Sequence, residues 1–297
     1  MSSQVIIIRA KDLFDSNRDI NSVQLTRLFQ KGFELLTGAQ TITDSIKTLF
    51  DTRTKIGIKI NTIGGRQIST RPEVSLCLAR HLTKGGIREK NIIIWDRTNR
   101  ELRSAGYSLK INQSGINIFG TDSNAVGYDK NLTAHRSIGS RFSVIQSRLI
   151  SQSISMAILK DHGLAGITAG MKNYFGSIHN PNKYHDFNCD PFVADLFDTP
   201  VIKTKHRLTV IDALTVQFHK GPAFHSQWAE DYGALIMSTD PVAADYSSWM
   251  LIEKLRKQHG LPTLSEEQRE PVYINTAARL GLGFAESLNI RIIKKEI

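Results

Sequence analysis

The sequence predicts an α/β protein: a mainly parallel or mixed sheet flanked by helices in a Rossmann-like three-layer arrangement. Three observations predict it. IGIKI (56–60), PEVSLCLARHLTK (72–84) and NIIIW (91–95) read as strand, helix and strand, a βαβ unit that calls for a parallel pair with a right-handed crossover. ALIMS (234–238) runs straight into TDPVAADYSSWMLIEKLRKQH (239–259), a second strand-to-helix passage. The chain has 297 residues, 40% of them hydrophobic and only eight of them proline, so it has the means to build a large core and is neither disordered nor collagen-like. It reads as one domain over 1–297, in which an N-terminal lobe (1–145) and a C-terminal lobe (146–297) would enclose a crevice.

The elements follow in order. VIII (5–8) is a short buried strand, and VQLTRLFQKGFELL (23–36) has apolar residues at helical spacing with Gly38 as its stop. A further helix spans 42–50. In the βαβ unit, Pro72 suits the first helical turn and Gly85 the stop. The stretch 98–139 is turn-rich and weakly patterned, suited to small strands or a flap. ISMAIL (154–159) reads as a strand, LAGITAGMKNYF (164–175) as a helix closed by Gly176, and LTVIDAL (208–214) as a strand. The helix after ALIMS has Thr239 or Asp240 as cap, Pro241 at its first position and Gly260 past its end. IRIIKK (290–295) is an edge strand.

Polar residues stand at the expected strand ends: Lys59-Ile60-Asn61, Asp96, Lys160-Asp161-His162, Asp212 and Ser238-Thr239-Asp240. Parallel strands bring such ends to one rim, where open α/β sheets bind ligands. Asp and Asn are also common there as turn and cap formers, so the grouping matters more than any single residue. In the loop Asn61-Thr62-Ile63-Gly64-Gly65-Arg66, two glycines would let backbone N–H groups approach an anion and Arg66 close on it. The loop is neither GxGxxG nor a P-loop, so no dinucleotide motif is present.

The densest segment is 160–190. Leu164, Ile167, Met171 and Phe175 form an apolar stripe, while Lys172 and Asn173 project elsewhere. Around them lie His162, His179, Lys183 and His185. Two readings stand beside that of solvated loop residues. His162, His179 and His185, with Asp240 or Asp212, would suit a divalent metal. Alternatively, His162, His185 and Lys172 act as proton donors and acceptors, and Lys59, Asn61, Arg66, Asp96, Lys160, Asn173, Lys183 and Asp240 as ligands for a carboxylate or phosphate. The loop 217–227 with His219 and His225 is a lid or merely exposed. Asp245 offsets a helix dipole. Cys189 has no base beside it in sequence, and no GxSxG elbow occurs.

Thirty-eight Lys and Arg against 28 Asp and Glu give a charge of +10. With no run of basic residues and no RNA-recognition or zinc-finger signature, nucleic acid is an unlikely partner and a small anionic molecule the expected one. No run approaches the roughly 18 to 20 apolar residues of a membrane span. Two cysteines exclude an iron–sulfur cluster built on this chain alone. The N-terminal segment lacks a leader pattern, which implies the cytoplasm for a chain that starts here and export for one that has been trimmed.

GIKIN (57–61), TRPE (70–73), KDHGLAGITAGMKNYFG (160–176), IHNPNKYH (178–185) and STDPVAAD (238–245) together resemble the family called domain of unknown function 362. The resemblance runs from about 56 to 251 and on to the GLG at 281–283. It implies an α/β fold and places family positions at Lys59, Asn61, Pro72, Lys160, His162, Lys172, Asn173, Gly176, Asp240, Pro241 and Asp245. The IHNPNKYH segment, with His179, Asn182, Lys183 and His185, is similar to that of a subgroup. Some relatives carry twin-arginine leaders or ferredoxin-type clusters; the sequence in hand shows neither feature. A looser similarity of layout, with no diagnostic motif, is to the nickel-pincer lactate racemase group.

Overall fold

The computed structural model of the chain describes residues 2–111 and 114–297. Met1 of the N-terminal segment and Asn112 and Gln113 of the turn-rich stretch lie outside the described residues. In chain order the elements are β1 (Ser3–Arg9), α1 (Ser22–Thr37), α2 (Ile42–Leu49), β2 (Ile56–Lys59), α3 (Pro72–Lys84), β3 (Ile92–Asp96), α4 (Asn99–Ser104) and β4 (Asn117–Gly120). The hairpin β5 (Thr133–His135) and β6 (Ile138–Ser140) follows, then β7 (Gln152–His162), β8 (Gly166–Thr168), α5 (Phe192–Asp198), α6 (Pro200–Lys203) and β9 (His206–Gln217). The chain ends with β10 (Ala229–Ser238), α7 (Pro241–Gln258), α8 (Tyr273–Arg279) and β11 (Ile290–Glu296).

Among the described residues one sheet of nine strands runs in the order β11-β1-β10-β9-β7-β2-β3-β4, with β8 paired to β7. It is mixed: β10 is antiparallel to both β1 and β9, β8 is antiparallel to β7, and the remaining neighbours are parallel. The βαβ unit forms as expected, β2 pairing with β3 in parallel.

Alternate residues of each central strand serve opposite faces. Ile154 and Met156 of β7 and Leu235 and Met237 of β10 pack under α1 and α3, against Leu28, Phe29, Phe33, Val74 and Leu78. Ala157 and Leu159 of β7 and Ala234 and Ile236 of β10 face the other layer, with Val242, Ile252 and Leu255 of α7, Tyr273 and Ile274 of α8 and Val193 of α5. Two apolar layers on one twofold-patterned sheet make the three-layer arrangement. The helix limits have local causes. Asn21 accepts from the N–H groups of Val23 and Gln24 at the start of α1, and Gly38 ends it at φ 71°. Asp240 caps α7 with Pro241 behind it.

The expected helix over 164–175 does not form. Gly166 at φ 74° places its α-carbon against the Arg269 carbonyl, and β8 folds back on β7 before a 3-10 turn at Lys172–Ser177. Two glycines and the β-branched Ile167 and Thr168 weaken a helix there. Ile167, Met171 and Phe175 are buried as the stripe required, but Leu164 is 54% exposed. Asp245 takes the place of helical bonding: its carboxylate accepts the N–H groups of Gly170 and Met171 at 2.7 and 3.1 Å. It is therefore a buried tie between α7 and this turn, not a dipole-offsetting surface acid, and burial pushes its carboxyl up to about 7. The turn-rich stretch contains α4, β4 and the β5–β6 hairpin.

Gly85, past the end of α3, abuts Ile46 of α2 so closely that a Cβ would overlap the Ile46 side chain. Gly85→Ala should lower the unfolding free energy by about 1–3 kcal/mol through overpacking. Urea titration checks this, with the midpoint falling and the slope unchanged.

Candidate functional site

The carboxyl ends of β2, β3 and β7 open onto a crevice of about 470 Å³, walled by Lys59, Asn61, Asp96, His162, Lys172, Asn173 and His185 among others. Its floor is a network tying neighbouring strand ends together. Lys59 and Asp96, 1% and 7% exposed, pair at 2.6 Å across β2 and β3. The Lys59 ammonium also donates to the Ile60 carbonyl at 2.7 Å and to Asn173 Oδ1 at 3.2 Å. Asp96 accepts in addition from the backbone N–H and hydroxyl of Thr62, both at 2.7 Å, and from the Arg97 N–H at 2.7 Å. Asn173 returns its amide to the Lys59 carbonyl and the Ser155 hydroxyl. Gly176 must be bare, since a Cβ there would lie 2.7 Å from Lys59 Nζ. Every ammonium proton of Lys59 is used, so it shapes the crevice rather than offering a free charge.

The glycine loop works differently from the expected anion cradle. Its Thr62 N–H is already taken by Asp96, and a carbonyl of the loop meets a cation: Lys160, fully buried, donates to Ile63 O at 2.6 Å and to Ile68 O, just past the loop, at 3.3 Å. Lys160 thus pins the loop to β7 and does not wall the crevice. Burial lowers its ammonium to about 8, with Asp96 opposing.

Two histidines face the cavity with defined tautomers. His162 Nδ1 accepts the N–H groups of Leu164 and Ala165, each at 3.2 Å, so the ring proton sits on Nε2. Burial, then Lys172 and His185, push this imidazole down to about 2, so it stays neutral. His185 Nδ1 meets the Pro181 carbonyl at 3.1 Å, which can only accept, so Nδ1 carries the proton. Its Nε2 lone pair takes a hydrogen bond from Lys172 Nζ at 3.1 Å. Burial and then Lys172 hold its pKa below the ordinary imidazole value. The two rings stack at 5.7 Å. Lys172 is 6% exposed, lies 4.2 Å from the centre of the Phe175 ring and has no carboxylate partner among the described residues. Burial lowers it to about 8, with the hydrogen-bonded Cys189 thiol pulling the other way.

The outer wall is held by a second ionic network. Asp161 sits at 2.9 Å from Arg269 and accepts the Gly221 N–H at 2.8 Å. The buried Arg256 lies 3.7 Å from Asp161 and 2.7 Å from Glu267. Gly221 packs directly on the Asp161 carbonyl, which fixes the 217–227 loop against β7 and brings Pro222 to the crevice.

Several candidate residues stand elsewhere. Because β10 is antiparallel, its end at Ser238 lies opposite Thr209 near the start of β9, on the other rim. Asp240 there is filled by the N–H groups of Ala243 and Phe284 and by the Ser3 hydroxyl. Asp212 lies within β9, 2% exposed, accepting from the Leu214 N–H. Arg66 is exposed and outside the crevice wall. Lys183 donates to the Gly139 carbonyl, and His179 meets the edge of Tyr128 at 5.1 Å. His179 therefore does not join His162 and His185, and among the described residues no group of three or more His, Cys, Asp or Glu is placed to hold a metal ion. Sequence reasoning missed Arg97 and Glu101, which also wall the crevice. Arg97 follows Asp96 at a strand end, the same signal that singled out its neighbour.

Lys59→Met leaves Asp96 buried without its cation. It should cost about 3–5 kcal/mol of stability. Urea unfolding checks this, and a loss below about 1 kcal/mol, the worth of an exposed pair, would contradict it.

Comparison with known proteins adds the following. No curated protein matches the chain. Solved structures with partial similarity to the chain include these two. One is the lactate racemase apoprotein from Thermoanaerobacterium thermosaccharolyticum, at 12% identity and a TM-score of 0.44, covering 84% of this chain and 57% of that one. The other is a Thermotoga maritima protein, at 10% identity and a TM-score of 0.46, covering 79% of this chain and 59% of that one. The chain thus spans less than two thirds of either neighbour. Among the described residues no helix is long and apolar enough to cross a membrane. The family model described as Domain of unknown function (DUF362) matches residues 56–249, which take in both walls of the crevice, and the chain belongs to that family.

Proposed function

We propose that the crevice binds a small organic anion, a carboxylate or phosphate, and that Lys172 and His185 move a proton to or from it. The observation that carries this reading is a dehydrated lysine facing a cavity with no carboxylate against it. A buried charge is costly unless paired, so such a site gains most from an incoming anion. Arg97 adds a second cation on the wall and forms no ion pair among the described residues. The His162 Nε2–H supplies a neutral donor, and the acids on the wall, Asp96 and Glu101, leave a positive balance because Lys59 neutralises Asp96. The hydrogen bond from Lys172 to His185 Nε2 gives a path for one proton, with Lys172 near the value suited to acid–base work at neutral pH.

Calorimetric titration with inorganic phosphate and short carboxylates tests this. Lys172→Met should weaken binding by roughly 10- to 100-fold, the loss of one charged hydrogen bond of about 1.5–3 kcal/mol. Unchanged affinity in a folded variant would overturn the reading. The pH dependence has a fixed sign. Lys172 is an ammonium below about 8 and an amine above it, so affinity should be full below that value and decline above it. A bound anion favours the ammonium, so the decline should begin at higher pH as ligand saturates. Affinity that rises through this range would contradict the assignment.

A further inference from the structure

Lys172 has a feature that anion binding alone does not use: its amine is in contact with a proton acceptor. Of the three buried lysines at these strand ends, Lys59 is consumed by Asp96, Ile60 and Asn173, and Lys160 by two backbone carbonyls. Lys172 also walls the cavity, and it alone among them has its Nζ on an imidazole lone pair, that of His185 Nε2 at 3.1 Å. An ammonium is not a nucleophile, whereas a desolvated amine that has passed its proton to a neighbouring base is one. Lys172 is only 6% exposed, with its Nζ 4.2 Å from the centre of the Phe175 ring. On the same wall, two backbone N–H groups occupy His162 Nδ1, which leaves its Nε2–H as a neutral donor suited to a carbonyl oxygen. Cys189, the other nucleophile in contact, is buried, and burial pushes its thiol up, so it remains a thiol.

We infer that, given the anion site, the ligands are oxo acids, and that Lys172 Nζ forms a Schiff base with their carbonyl carbon. The carboxylate lies toward Arg97. Lys172 gives one proton to His185, and its lone pair forms the N–C bond as the C=O π pair moves to oxygen. The oxygen, hydrogen-bonded by His162, takes up the proton from His185 to give the carbinolamine. The nitrogen then loses a second proton to His185, the C–OH bond breaks, and the hydroxyl leaves with that proton as water. The imine forms from amine and carbonyl with water as the only other product, and nothing is oxidised or reduced. The lowered pKa of Lys172, about 8, supports this by leaving a usable fraction of amine near neutral pH. A crevice of about 470 Å³ also leaves room for a substituent on the oxo acid beyond its carboxylate.

The test incubates the full chain with glyoxylate or phenylpyruvate and cyanoborohydride, and maps reduced adducts by peptide mass spectrometry. The corresponding hydroxy acids, which cannot form an imine, are run in parallel by thermal shift. The expected result is a reduced adduct concentrated on Lys172. It should be suppressed by excess hydroxy acid in the unmodified protein, absent in Lys172→Met, and formed about 100-fold more slowly in His185→Phe. Hydroxy-acid protection uses the intact protein, so the outcome does not depend on the variants folding. If the hydroxy acids raise the melting temperature but label spreads over surface lysines or is missing, the imine is overturned and the anion site stands. If neither acid shifts melting and Lys172 is unlabelled, both readings fall.

Discussion

The ion pair between Lys59 and Asp96 is the constraint on which the rest of the site depends. It joins the ends of two adjacent parallel strands, and its two side chains bind the start of the glycine loop, the residue after β3 and Asn173 in the 3-10 turn. Breaking such a pair strands a charge in a dry interior, which is far more costly than never having made it. The turn that carries Lys172 therefore stands where it does because Asn173 is fixed on Lys59 from one side and Asp245 holds Gly170 and Met171 from the other.

Three buried lysines at the same rim thus have three fates. One is neutralised by a carboxylate, one is solvated by carbonyls of a loop it pins down, and one is left on an imidazole lone pair beside a cavity. Only the last walls the cavity with neither a carboxylate nor a carbonyl as its partner among the described residues. The histidines follow the same logic: two backbone N–H groups make a proton on His162 Nδ1 untenable, and the Pro181 carbonyl makes a proton on His185 Nδ1 obligatory. Opposite tautomers on stacked rings give one donor and one acceptor without either ring becoming charged.

Much of this was legible from the chain. The βαβ unit, the β10-to-α7 passage, the Gly38 stop of α1 and the Asp240 alternative for the cap of α7 are local signals, and the structure places them as read. The crevice residues at the ends of β2, β3 and β7 were legible because parallel strands share a rim. Asp240 was not, because strand direction is a tertiary property: ALIMS has the same local pattern whether it runs with or against its neighbours. The helix expected at 164–175 failed for a related reason. An apolar residue every third or fourth position fits a helix, but it fits equally a short hairpin strand followed by a tight turn, and the choice was made by contacts of Gly166 with Arg269 and of Asp245 with the turn. The roles of Lys59 and Lys160 could not be separated by sequence, since both precede a loop at a strand end and only packing distinguishes a carboxylate partner from a carbonyl one.

The central claim is that Lys172 stands in the crevice as a dry ammonium awaiting an anion. Its most direct test is a pH titration of the lysine side-chain nitrogens by NMR, with and without saturating glycolate. The account predicts that Lys172 titrates near 8 in the free protein and moves upward when glycolate is bound. A Lys172 that titrates at the ordinary lysine value and ignores glycolate would contradict it.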